Sequence, residues 1–214
     1  MAPSAKADRS PGPFLALLSK GLELWLRRQC QEVEALELQL EGAMAQWLQG
    51  NLQGVRLRAR RVVFQNLSLE QVDLASEPIR LKLPGLLRHQ PLQLNQPFRV
   101  RGSVVFSEEG LSRSLTRPEG QELADLLCQG LQGGGTLQGA QLQDGHLILQ
   151  LLPSQGGKPE ALATHIVLDA AGLQVVPLQG GPAVAIPLDE AITLERAEVR
   201  DGSLELAGVA LVKP

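Results

Sequence analysis

Two fifteen-residue stretches, Thr136–Gln150 (TLQGAQLQDGHLILQ) and Thr193–Ala207 (TLERAEVRDGSLELA), match at seven positions and lie 57 residues apart. Each sets an Asp-Gly pair, Asp144-Gly145 or Asp201-Gly202, between runs in which aliphatic and polar residues alternate. Asp-Gly in that setting selects a two-residue type I′ hairpin, because both central residues must take positive φ. Two copies are too few for a solenoid. The repeat predicts one curved antiparallel sheet built from similar hairpins, with Leu147, Leu149, Leu204 and Leu206 turned to one aliphatic face.

The same alternation recurs upstream. Leu36, Leu38 and Leu40 alternate with Glu37, Gln39 and Glu41, a strand with one buried face. Further strands are expected at about 55–64, 67–75, 78–83 and 98–106, with Pro84-Gly85, Pro91 and Pro97 at turns or edges. Helical spacing runs from Phe14 to about Cys30, and a short helix is expected over Ala43–Leu48, ending in a Gly50-Asn51 turn. A second helical segment starts at the N-cap Ser107, with Glu108 and Glu109 opposing the helix dipole, breaks at Pro118 and stops at Gly133-Gly134-Gly135. The fold class is α+β: a curved, mainly antiparallel sheet packed on an N-terminal amphipathic helix and a second helical segment. Residues 1–12 read as a disordered tail and 13–214 as a single domain. A chain of 214 residues buries about 70% of its unfolded surface, so it needs no disulfide or metal to fold.

Leucine fills 42 of the 214 positions and tyrosine none; Phe14, Trp25, Trp47, Phe64, Phe98 and Phe106 are the only aromatics. Net charge is −3, unevenly spread: Val55–Arg101 carries +6, Gly102 to the C-terminus −8. An acidic chain with so few aromatic platforms is a poor reader of bases, so nucleic acid is not an expected partner. Cys30 and Cys128 are far apart with no CxxC spacing, as for free thiols in a reducing compartment. No apolar run reaches the roughly 20 residues that span a bilayer. The first apolar stretch is broken by Lys20, Glu23 and Arg27, unlike a signal peptide. The expected location is cytoplasmic, with peripheral contact to a membrane.

Catalytic patterns are missing. His89, His146 and His165 are far apart in sequence and fit no metal-ligand spacing, and there is no GxSxG, Walker loop or strand-borne GxGxxG. The chain is therefore expected to be no enzyme, with no catalytic residue, metal or cofactor. Two features carry recognition chemistry instead. Arg56, Arg58 and Arg60 share one face of a strand at intervals of about 6.7 Å, with Val55, Leu57 and Ala59 on the other. With Arg61 they suit bidentate contact to phosphate oxygens, or form a solvated outer face. The amphipathic helix offers Phe14, Leu18, Leu22, Trp25 and Leu26 to acyl chains or a membrane interface, or packs them on the leucine face of the sheet.

The run GNLQGVRLRARRVVFQNLSLEQVDLASEPIRL (50–81), followed by QPLQLNQPFRVRGSVVFSEEGLSRSL (90–115) and the two Asp-Gly hairpins, resembles the LmeA-like phospholipid-binding family, over roughly residues 14 to 212. The resemblance implies a tubular or curved antiparallel sheet around a long helix, and binding of anionic phospholipid rather than catalysis. At the second helix start the family pattern has an acidic residue before the leucine and Asn after it; here Gly110 and Ser112 flank Leu111. The expected activity is non-enzymatic binding of anionic phospholipid or another acyl lipid near a membrane surface. Its headgroup residues would be Arg56, Arg58, Arg60 and Arg61. The alternative is an assembly factor that docks on a protein partner through its helix or a sheet edge.

Overall fold

A computed structural model describes residues 23–213, except 25, 44–45, 47–48, 50, 81–95 and 155. Its strands are β1 (Glu32–Glu41), β2 (Asn51–Leu52), β3 (Gly54–Phe64), β4 (Leu67–Ser76), β5 (Ile79–Arg80), β6 (Phe98–Ser107), β7 (Thr136–Gln143), β8 (His146–Leu152), β9 (Glu160–Asp169), β10 (Gly172–Pro177), β11 (Val184–Ala185), β12 (Ile192–Arg200) and β13 (Ser203–Val212). Helix α1 (Glu108–Thr116), a 3-10 turn at Pro118–Gly120 and α2 (Gln121–Gln132) lie between β6 and β7. The expected helix Ala43–Leu48 and the strand beyond Arg80 fall largely outside the described residues, as does the tail 1–12.

Local chemistry accounts for most element ends. Ser107 caps α1 by accepting from the Gly110 amide at 3.2 Å, and Pro118 opens the 3-10 turn that separates the helices. Gly133, at φ +74°, ends α2 and lets the amides of Gly133 and Gly134 reach back to the Gln129 and Cys128 carbonyls. Both Asp-Gly turns have positive φ at both residues, as the type I′ turn requires, and Gln65-Asn66 joins β3 to β4 in the same way.

The two repeat hairpins do not share a sheet, contrary to the expectation of one. β12–β13 belongs to a six-stranded sheet of order β1-β3-β4-β6-β13-β12, and β7–β8 to a five-stranded sheet of order β11-β10-β9-β8-β7. The reason lies at the sheet edges. β7 and β12 each end their sheet, and they pack against one another instead of hydrogen bonding. A Cβ on the tip glycine Gly145 would lie 3.9 Å from the Val199 carbonyl oxygen, and one on Gly202 would lie 4.0 Å from that of Leu142. A third, two-stranded sheet pairs β2 with β5.

One core joins the pieces. Leu147, Leu149 and Leu151 of β8, Leu204 and Phe106 of the larger sheet, and Leu115, Leu127 and Cys128 of the helices are all buried in it. Leu206 packs against this cluster half-buried, so the four leucines expected on one face converge from two sheets. Thr164 is fully buried as well, its hydroxyl donating to the Leu147 carbonyl at 2.7 Å across β8–β9.

Candidate functional site

Residues directly opposed in a sheet share a face, so the register fixes what each face of the six-stranded sheet carries. Leu36, Ala59 and Val72 form one inner row, all buried in the main core. The next inner row runs Leu38, Leu57, Leu74, Gly102, Gly208 and Leu194 across all six strands, and each of these is only half-buried. Beyond it Leu40, Val55 and Phe98 pack on Leu52 and Ile79 of the two-stranded sheet, a second and separate hydrophobic cluster. The half-buried row is thus an apolar strip on which Leu57 and Leu74 border the main core, while Leu38 and Leu194 belong to neither cluster. Five strand spacings make it about 24 Å long, whereas half of a bilayer's hydrocarbon core is about 15 Å.

Two glycines shape the middle of that strip. A Cβ on Gly102 would lie 2.1 Å from the Asp73 carbonyl oxygen, and one on Gly208 would lie 2.2 Å from that of Thr193. Only residues without a side chain let β4–β6 and β12–β13 approach so closely, and the row has no side chain at these two positions.

Arg56, Arg58 and Arg60 do share one face, opposed to Gln39, Glu37 and Ala35 on β1 and to Ala75, Asp73 and Gln71 on β4. That face is the outer one. The sheet itself therefore separates the arginine ladder from the aliphatic strip. Three of the four headgroup candidates are engaged in exposed ion pairs: Arg56 with Glu41 at 2.6 Å, Arg58 with Asp73 at 3.1 Å, and Arg61 with Glu34 at 2.7 Å. Such pairs are worth about 0–1 kcal/mol each and exchange readily for another anion. Arg60 makes no ion pair among the described residues and borders a shallow outer depression with Arg58, Glu37, Gln71 and Asp73. Arg61 has φ +47° and departs from the strand's alternation, so that Val62 rather than Arg61 turns into the core.

Of the expected acyl-facing residues, Phe14, Leu18, Leu22 and Trp25 lie outside the described residues. Leu26 is half-buried and packs against the main core, on the helical residues 26–29 that lead into β1. Gly110 and Ser112, which flank Leu111 at the second helix start, have plain local roles. A Cβ on Gly110 would meet the Ser68 carbonyl oxygen at 2.6 Å, so glycine there seats α1 against β4. Ser112 Oγ accepts from the Ala140 amide at 3.2 Å, and Glu108 accepts from the Leu142 amide at 2.9 Å. Both amides belong to β7, an edge strand, so α1 occupies the donors that an open edge would present. Glu108 does more than oppose the dipole.

The fold also joins residues the sequence keeps apart. His146 and His165 sit on adjacent strands with ring centroids 4.8 Å apart, yet the described residues hold no group of three His, Cys, Asp or Glu side chains placed to bind a metal. Both cysteines are free, and burial pushes each thiol's pKa up; Asp125 adds to the effect at Cys128, while Arg27 opposes it at Cys30. Neither is an activated thiolate. The strip residues Leu38, Leu57, Leu74 and Leu194 were not among the expected site residues. Their signal was the alternation itself, which reveals a shared row only once the register is known.

The family described as LmeA-like phospholipid-binding matches residues 12–209. No curated protein and no solved structure matches the chain.

Proposed function

Because the chain belongs to the LmeA-like phospholipid-binding family, we propose that it binds phospholipid without chemical conversion, laying an acyl chain along the strip from Leu38 to Leu194. The half-buried strip between two hydrophobic clusters is the observation that carries this reading. Its apolar surface, at about 25 cal/mol per Å2, rewards a hydrocarbon chain that excludes water from it. The outer face supplies a second contact. Arg56, Arg58, Arg60 and Arg61 adsorb to an anionic membrane surface, each cation near such a surface contributing about 1 kcal/mol within a Debye length. No helix among the described residues is long and apolar enough to cross a membrane, and contact of this kind needs none.

Docking on a protein partner has a weaker basis. The open edge of β1 carries exposed Glu32, Glu34, Glu37 and Glu41, charges that discourage strand addition. Native mass spectrometry of freshly purified protein tests the proposal: a co-purified phospholipid mass is expected, and a lipid-free spectrum overturns it. Co-sedimentation with anionic and zwitterionic vesicles tests the arginine face, whose share of binding should vanish at high salt.

A further inference from the structure

A cleft of about 430 Å3 lies where the end of the β3–β4 hairpin meets the first turn of α1. Arg61 and Arg113 line it, as do Glu32, Glu34, Glu70 and Glu109. The two arginines are tied to Glu34 and Glu109, in pairs that are well exposed on both sides. Glu32 and Glu70 make no ion pair among the described residues. Ser68 lines the same cleft, 7% exposed, and its Oγ is buried with no hydrogen-bond partner. A buried hydroxyl left single needs a polar group to complete it.

The charge set limits what the cleft can take. Two guanidiniums suit a phosphate, but a phosphate alone would face four carboxylates. A ligand carrying phosphate and ammonium together satisfies both signs, with the phosphate on Arg61 and Arg113 and the ammonium on Glu32 and Glu70. The neighbouring hairpin tip indicates where such a ligand is presented. Phe64 and Leu67 are directly paired beside the turn, 39% and 42% exposed, and the tip is held by Gln31, whose side-chain amide donates to Asn66 Oδ1 at 2.6 Å. An aromatic–aliphatic pair fixed at a hairpin end suits the boundary of a bilayer.

We infer that this cleft takes the zwitterionic headgroup of a bilayer phospholipid, of the phosphoethanolamine or phosphocholine kind, while Phe64 and Leu67 enter the interface. The inference rests on the phospholipid reading above, but assigns a headgroup site distinct from the acyl strip, one that shares only Arg61 with the outer arginine face.

The test titrates the full chain with glycerophosphoethanolamine, and with glycerophosphate and ethanolamine separately, by calorimetry. Binding that needs both charges in one molecule is expected, weakened about tenfold by Arg113→Ala and by Glu70→Gln. Phe64→Ser with Leu67→Ser should leave this binding intact and abolish sedimentation with phosphatidylethanolamine vesicles. Equal affinity for glycerophosphate alone, or no change in the Arg113 and Glu70 variants, overturns the inference. Native mass spectra of the same samples report on the acyl strip, so lipid that still co-purifies when headgroup binding fails removes the cleft and leaves the strip standing.

Discussion

In the five-stranded sheet Leu149, Leu151 and Thr164 have no solvent exposure at all, whereas in the six-stranded sheet the inner row from Leu38 to Leu194 stays half-buried on every strand. Both sheets alternate aliphatic and polar residues, so the difference comes from what lies on them. Helix α2 packs on β7 and β11 of the smaller sheet, and α1 bridges β7 to β4 and β6 of the larger one. On the larger sheet the main core covers one end, reaching Leu57 and Leu74, and the two-stranded sheet the other, and among the described residues the row between stays half-buried. Stability is concentrated in one region and accessible apolar surface in the other.

Four substitutions and one neighbouring control would break or sharpen that contrast. Leu149→Ala should be the most damaging, at about 3–5 kcal/mol in urea unfolding, because a fully enclosed site cannot relax around the void. Glu108→Ala should cost about 1.5 kcal/mol by leaving the Leu142 amide without its charged acceptor, while Glu109→Ala, one residue on, should change little. Leu74→Ala should cost only about 1 kcal/mol, being half-buried, yet reduce the co-purified lipid seen in native mass spectra. A loss of stability as large as that of Leu149→Ala would show the strip to be ordinary core. Arg58→Ala should lie within about 0.5 kcal/mol of the parent in stability and be detected only as weaker sedimentation with anionic vesicles at low salt.

Much of the local structure was legible from residue chemistry. The Asp-Gly turns, the Ser107 cap, the break at Pro118 and the stop at Gly133 depend on neighbours within a few positions, and each lies where that chemistry puts it. What escaped depends on pairing across long stretches of chain. Alternation tells which residues share a strand face but not which strands are neighbours, so the division into two sheets was hidden. The arginine ladder shows the same limit. Its common face was readable from spacing, but its partners Glu41, Asp73 and Glu34 come from β1 and β4, and its placement opposite the aliphatic strip follows from the pleat of β3 itself. Leu57 and Arg58 are adjacent in the chain and therefore on opposite sides of the sheet.

The hairpin tips have one more consequence. Adding 57 to Leu142 and Gly145 gives Val199 and Gly202, so the approach of Gly145 to the Val199 carbonyl and that of Gly202 to the Leu142 carbonyl are the same approach made twice. The two approaches are reciprocal, residue for residue, as contacts across an isologous interface are.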